Sequence, residues 1–140
     1  MDNNVKEAIF KAVEQEPFAQ VLKIKLVALE KGYSAVEMVY NPYQMDNIYS
    51  KAHGGAIFAL IDEAFETVAQ TDGTIAVALN VNITYVSTPD PGVTLRAEAR
   101  EISLTKKTAG YNIQVTDHND QLIATCQALA YRTGKAIPFL

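Results

Sequence analysis

A helix predicted over residues 54–70 has almost no polar side. Ile57, Leu60, Ile61, Ala64, Phe65 and Val68 recur at the 3.6-residue helical period, and residues 56–61 are apolar all round. Only Glu63, Thr67 and Gln70 form a narrow polar edge, with Glu63 and Glu66 expected to be solvated. Such a helix has to be covered over most of its circumference. In a chain of 140 residues, a sheet curled around it can provide that cover.

The remaining sequence supplies the strands. Val5, Ala8, Ile9, Ala12 and Val13 recur at helical spacing and mark a short amphipathic helix over residues 4–14, which Pro17 closes. Residues 21–29 and 33–40 flank Glu30-Lys31-Gly32 and read as a hairpin, followed by a loop over 41–47 that Pro42 breaks out of the pattern. From Ile75 to Tyr85 the period is two, which places Ile75, Val77, Leu79, Val81, Ile83 and Tyr85 on one face. Asn80 then shares the opposite face with Ala78. Three further alternating runs, 93–102, 108–116 and 122–132, are joined by short gaps that suit antiparallel neighbours. The expectation is one α+β domain over residues 1–140, with an antiparallel sheet of about six strands wrapped around one long central helix and a short N-terminal helix. That is the hotdog architecture.

Charge and cysteine content narrow the function. Twelve Lys and Arg against sixteen Asp and Glu leave a net charge of -4, which argues against nucleic acid or an anionic membrane as partner. Cys126 is alone and there are two histidines, so neither a disulfide nor a zinc cage is expected, and no metal or cofactor is called for. No apolar run reaches the roughly 18 to 20 residues of a membrane span, and the first residues lack the basic-then-apolar pattern of a secretion signal. A cytoplasmic location is expected.

The chemistry concentrates between Asn47 and Ala64. Gly54 and Gly55 open a helix of otherwise good helix formers, although each costs about 1 kcal/mol relative to Ala. Helix-start N–H groups have no internal partners and can stabilise an oxyanion, while glycine admits an acyl group closely. The same pair would equally let a strand pack tightly on the helix start. Asp62 shares a helical flank with Phe58, Phe65 and Ala69, where burial would raise its pKa and suit it to act as a base or nucleophile; a partly solvated or cation-paired carboxylate is the plainer alternative. Cys126, among Ala124, Ala128 and Ala130, reads as a core residue.

His53-Gly54-Gly55, with an aspartate nine positions after the histidine, resembles the PaaI-like hotdog acyl-CoA thioesterases. Asn47 matches that family's asparagine, Asn82-Ile83-Thr84-Tyr85 with Pro89 is similar to its strand and turn after the helix, and Lys107-Thr108 resembles its basic lead into the next strand. The resemblance implies that the Gly54 N–H polarises a thioester carbonyl, that Asn47 positions water or the thioester, and that His53 braces the loop. Asp62 would act from the other subunit of a homodimer or homotetramer, with the site at the dimer interface. Gly55 and Thr108 would line the substrate, and Lys106 and Lys107 could meet the CoA phosphates. Two residues depart from the pattern: Ala78 stands where a Ser or Thr is frequent, and Ser50 where a glycine is common. Asn80 is the candidate replacement for the missing hydroxyl. The leading expectation is hydrolysis of an acyl-CoA to free acid and CoA; a non-catalytic acyl-CoA or small-ligand-binding protein is the alternative, and a hotdog hydratase ranks last.

Overall fold

The computed structural model describes residues 1–140. Helix α1 (Asn3–Gln15) is capped by the Asp2 carboxylate, which accepts from the Asn4 and Val5 N–H groups, and it buries Val5, Ile9 and Val13 at four-residue intervals. Pro17 does not simply end the helical region. It starts a second helix, α2 (Pro17–Leu22), where its fixed φ and missing N–H cost nothing at a first-turn position. Val21 and Leu22 are therefore helical, and the strand expected from residue 21 begins later, as β1 (Lys25–Glu30). Strand β2 (Tyr33–Val39) follows across Gly32, whose φ of +70° meets the turn's need for a left-handed residue. The segment expected to be only loop contains one helical turn, α3 (Pro42–Met45), capped by the Asn41 side chain.

Helix α4 (Gly54–Ala69) is the axis of the molecule, followed by β3 (Thr74–Tyr85), β4 (Thr94–Leu104), β5 (Thr108–Thr116) and β6 (Leu122–Ala136). All pairings are antiparallel, in the order β1-β2-β4-β5-β6-β3. The β4-β5-β6 meander fits the short gaps, but β3 and β4 are not neighbours: the chain crosses over after Tyr85, and β3 pairs with the last strand. One long edge of β3 is thus left unpaired. Leu60, Ile61, Ala64, Phe65 and Val68 of α4 meet Val36, Met38, Leu95, Ala97, Ala99, Tyr111, Ile113 and Val115 in one continuous core. A sheet rich in alanine on its inner face lets the bulky helix approach.

Two expectations fail for definable reasons. The narrow polar edge of α4 is not open to water: Glu63 and Thr67 are 4% and 3% exposed, because α1 lies across them. Thr67 compensates by sharing a 2.7 Å hydrogen bond with Ser34 and donating to the Glu63 carbonyl. The single alternating face read along β3 is also broken. Ala78 pairs with Ala130 but Asn80 pairs with Leu129, so Leu79 is an extra residue in a β-bulge. Val81, Ile83 and Tyr85 pair with buried Ala128, Cys126 and Ala124 on the helix side, whereas Val77 pairs with exposed Tyr131 on the outer side.

Candidate active site

His53 is the N-cap of α4, and its Nδ1 accepts the Gly55 N–H at 2.8 Å. That bond assigns the remaining ring proton to Nε2. The Ala56 and Ile57 N–H groups donate to the His53 carbonyl, so among the first-turn donors of α4 only the Gly54 N–H has no acceptor in the chain. The two glycines answer to different neighbours. A Cβ on Gly54 would lie 3.2 Å from the Tyr85 ring, and one on Gly55 would lie 3.1 Å from His53 Nδ1. Tyr85 also donates its hydroxyl to the Gly54 carbonyl at 3.1 Å. Close packing of a strand on the helix start therefore holds, and it leaves the Gly54 donor free. In the sequence Tyr85 ends an alternating strand and belongs to the Asn82-Ile83-Thr84-Tyr85 stretch, and neither feature signals this contact.

Asn47 holds the approach to the helix. Its Oδ1 accepts from the Tyr49 and Lys51 N–H groups, and its own N–H donates to the Lys51 carbonyl at 2.7 Å. The His53 N–H donates to the Met45 carbonyl, which ties the far end of the same loop. Ser50 has φ +56°, a left-handed conformation that explains why glycine suits this position. Tyr40 is a core residue whose hydroxyl donates to Asp46, whereas Tyr43 and Tyr49 are exposed.

Asp62 lies eight residues into α4, half-buried in a cleft of about 230 Å³ with Phe65, Ala69, Ala76, Val77, Ala78 and Ala130. Burial raises its carboxyl pKa above the ordinary aspartate value. Ala78 lines this cleft, so no hydroxyl faces the carboxylate from that position. The bulge sends Asn80 to the other side of the sheet from Ala78, which removes the reason for treating it as a substitute. Cys126 is buried and its thiol is pushed up to about 11 by burial, as a core residue's would be.

Within one chain these groups do not meet. Gly54 and Asp62 are separated by two turns of one helix, about 12 Å of rise, too far to act on one carbonyl. Asn47, His53, Gly54 and Gly55 gather at the Tyr85 end of β3, and Asp62 at its Ala76–Ala78 end. Lys107 and Thr108 also lie towards the second end: Thr108 pairs with Tyr131, which pairs with Val77, and the Lys107 ammonium sits 5.6 Å from the Tyr131 ring centroid. The larger depression of about 600 Å³ between α2, β2 and α3 contains none of these residues.

Comparison with known proteins identifies the family and the fold. A family model described as the thioesterase superfamily matches residues 49–124, from the glycine-bearing loop into β6. A provisionally named esterase of Archaeoglobus fulgidus is 33% identical over 138 residues, covering 99% of this chain and 87% of that protein. The acyl-coenzyme A thioesterase PaaI of Escherichia coli is 29% identical over 124 residues, covering 89% and 88%. The solved structure of the E. coli PaaI protein, from the phenylacetic acid degradation operon, superposes with a TM-score of 0.91 over 96% of this chain and 97% of that one, at 27% identity. A Streptococcus mutans protein solved with acetyl-CoA bound is 30% identical, with a TM-score of 0.76 over 81% of this chain and 91% of that one. With its six-stranded sheet closed around α4, its glycine-opened helix and these matches, the chain is a hotdog protein that belongs to the thioesterase superfamily.

Proposed function

We propose that the protein hydrolyses an acyl-CoA thioester to the free acid and CoA, in a site that two copies of the chain build together. The carrying observation is the position of a free Gly54 N–H and a half-buried Asp62 at opposite ends of an edge strand with no partner. An antiparallel pairing of β3 with β3 of a second copy brings the Gly54 end of one chain beside the Asp62 end of the other. Exposed Val77, Leu79 and Phe58 supply apolar surface along that seam.

In this arrangement the carbonyl oxygen accepts from the Gly54 N–H, aided by the positive end of α4. Asp62 of the second copy takes a proton from water as the water oxygen attacks the carbonyl carbon. The tetrahedral oxyanion collapses, the C–S bond breaks, and the departing CoA thiolate takes up the proton. A thiolate leaves readily, so one base and one oxyanion donor suffice. Asn47 and His53 hold the loop and helix start. Lys107 and Thr108 lie towards the Asp62 end, where they would meet the phosphates of CoA. Support for CoA as the carrier comes from the acetyl-CoA bound to the S. mutans relative and from the name of the E. coli one.

Mixing two damaged chains tests the reading. Asp62→Asn and Gly54→Val homo-oligomers are each expected to be inactive in thiol release from a panel of short, long and aromatic acyl-CoA esters. Co-refolded in equal amounts, they regain about a quarter of wild-type activity, since half of the dimers are mixed and each mixed dimer has one intact site of two. No gain on mixing would overturn the shared site; no turnover by the wild type would overturn hydrolysis. In the latter case the alternative, a ligand-binding protein without efficient hydrolysis, gains from the missing hydroxyl at Ala78.

A further inference from the structure

On the side of α4 that faces α1 and α2, three carboxylates converge with no basic side chain beside them, and one of them, Glu66, also borders the Asp62 cleft. Glu16, Glu63 and Glu66 each offer an oxygen, and these oxygens lie within 4.8 Å of one another. Glu63 is 4% exposed, and its Oε1 is buried with no hydrogen-bond partner. Leaving a buried carboxylate oxygen unpaired is costly, and an acid in such a place is ordinarily paired or bound to a cation. Here the pairing groups are missing. The cleft of about 310 Å³ around the cluster is lined by Ile9, Ala12, Val13, Gln15, Thr67, Gln70 and Phe139 besides the three acids, with no Lys or Arg among them. None of the three acids takes part in an ion pair elsewhere.

Glu16 makes the arrangement harder to dismiss as chance crowding. It occupies the N-cap position of α2, yet its side chain makes no capping bond there. Its oxygen lies beside those of Glu63 and Glu66 instead.

We propose that Glu16, Glu63 and Glu66 form a binding site for a hard divalent cation of calcium size, which pins the α1–α2 junction to α4. Carboxylate oxygens are the donors that Ca²⁺, Mg²⁺ and Mn²⁺ prefer. All three oxygens lie close enough together to share one ion, and Ca²⁺ accepts irregular oxygen geometry whereas Mg²⁺ demands a near-ideal octahedron and dehydrates reluctantly, so this trio of carboxylates favours the larger ion. The exposed side, at Glu66, leaves room for water to complete the coordination. The ion's role is structural, and its three ligands are none of the residues assigned to the thioester chemistry.

The test uses the full chain stripped with EDTA and titrated with CaCl2, MgCl2 or MnCl2, followed by calorimetry and by melting temperature, with NaCl matched for ionic strength. One Ca²⁺ is expected per chain, with Kd on the order of 0.1 mM and at least several-fold weaker binding of Mg²⁺. At roughly 100 times Kd the melting temperature should rise by about 9 °C over the NaCl control. Glu63→Gln should remove both the heat and the rise, while melting no lower than wild type in EDTA, because the amide relieves the crowding of charge. If Glu63→Gln does not fold, exposed Glu66→Gln should weaken binding at least tenfold. Calcium behaving no differently from NaCl, or binding that survives these substitutions, would overturn the site.

Discussion

Asp62 and Glu63 are neighbours in sequence, one step of about 100° apart on the same helix, and they occupy different worlds. Asp62 faces a cleft of alanines, Phe65 and Val77 against the unpaired edge strand, with Glu66 and Gln70 at its border. Glu63 faces α1 and α2 and is closed off among other acids. Burial raises both pKa values, but only Glu63 also has two carboxylates beside it, which carries it to about 8. A carboxylate's role is therefore set by the element that covers its side of the helix, and adjacent positions can be assigned to unrelated tasks.

Removing the Asp62 carboxylate should separate the two sides most sharply. Asp62→Asn is expected to lower kcat/KM by roughly 10²- to 10⁴-fold with little change in melting temperature; a comparable loss of stability would make it a structural acid. The pH profile should agree in sign. Because burial raises the Asp62 pKa, the basic form is gained as pH climbs through a value above the ordinary aspartate range, and kcat/KM should rise with it. A flat profile through that range would argue against a base.

Gly54→Ala tests the other end of the strand. Its Cβ meets the Tyr85 ring at 3.2 Å, and because Tyr85 is itself half exposed the ring can shift, displacing the helix start by tenths of an ångström. About a tenfold loss in kcat is expected, with a smaller loss in Tyr85→Phe, which keeps the ring but not its hydrogen bond to the Gly54 carbonyl. Wild-type turnover in Gly54→Ala would mean the contact is incidental. The smallest effect concerns the loop alone: Ser50→Gly relieves a left-handed serine and should stabilise the protein by up to about 1 kcal/mol in denaturant unfolding. Cys126 should give a clean background in thiol assays, since a buried thiol held near 11 reacts with Ellman's reagent only after unfolding.

The central helix, six strands and the Gly54–Asp62 spacing were legible because they rest on local periods and on a short motif. What escaped depends on contacts distant in sequence. The burial of Glu63 and Thr67 needs α1 to cross α4, which their own polarity argues against. The contact of Tyr85 with Gly54 joins positions 31 residues apart. Pro17 reads as a stop or as a first helical residue with equal ease, and only the burial of Ala19 behind it decides for α2. Asn80 was assigned to the Ala78 side by strict alternation, which one unpaired residue inverts.

That residue, Leu79, also says something about which changes in length the strand can absorb. Deleting one residue from a strand ordinarily turns every side chain beyond it to the opposite face. Here β3 spends two steps, from Ala78 to Asn80, where β6 spends one, from Ala130 to Leu129. Loss of Leu79 would leave every other partner in place and would only straighten the strand. Leu79 is thus a point of slack in a count that otherwise runs residue for residue from Ala76 to Tyr85, a place where shorter and longer chains can keep the same cleft.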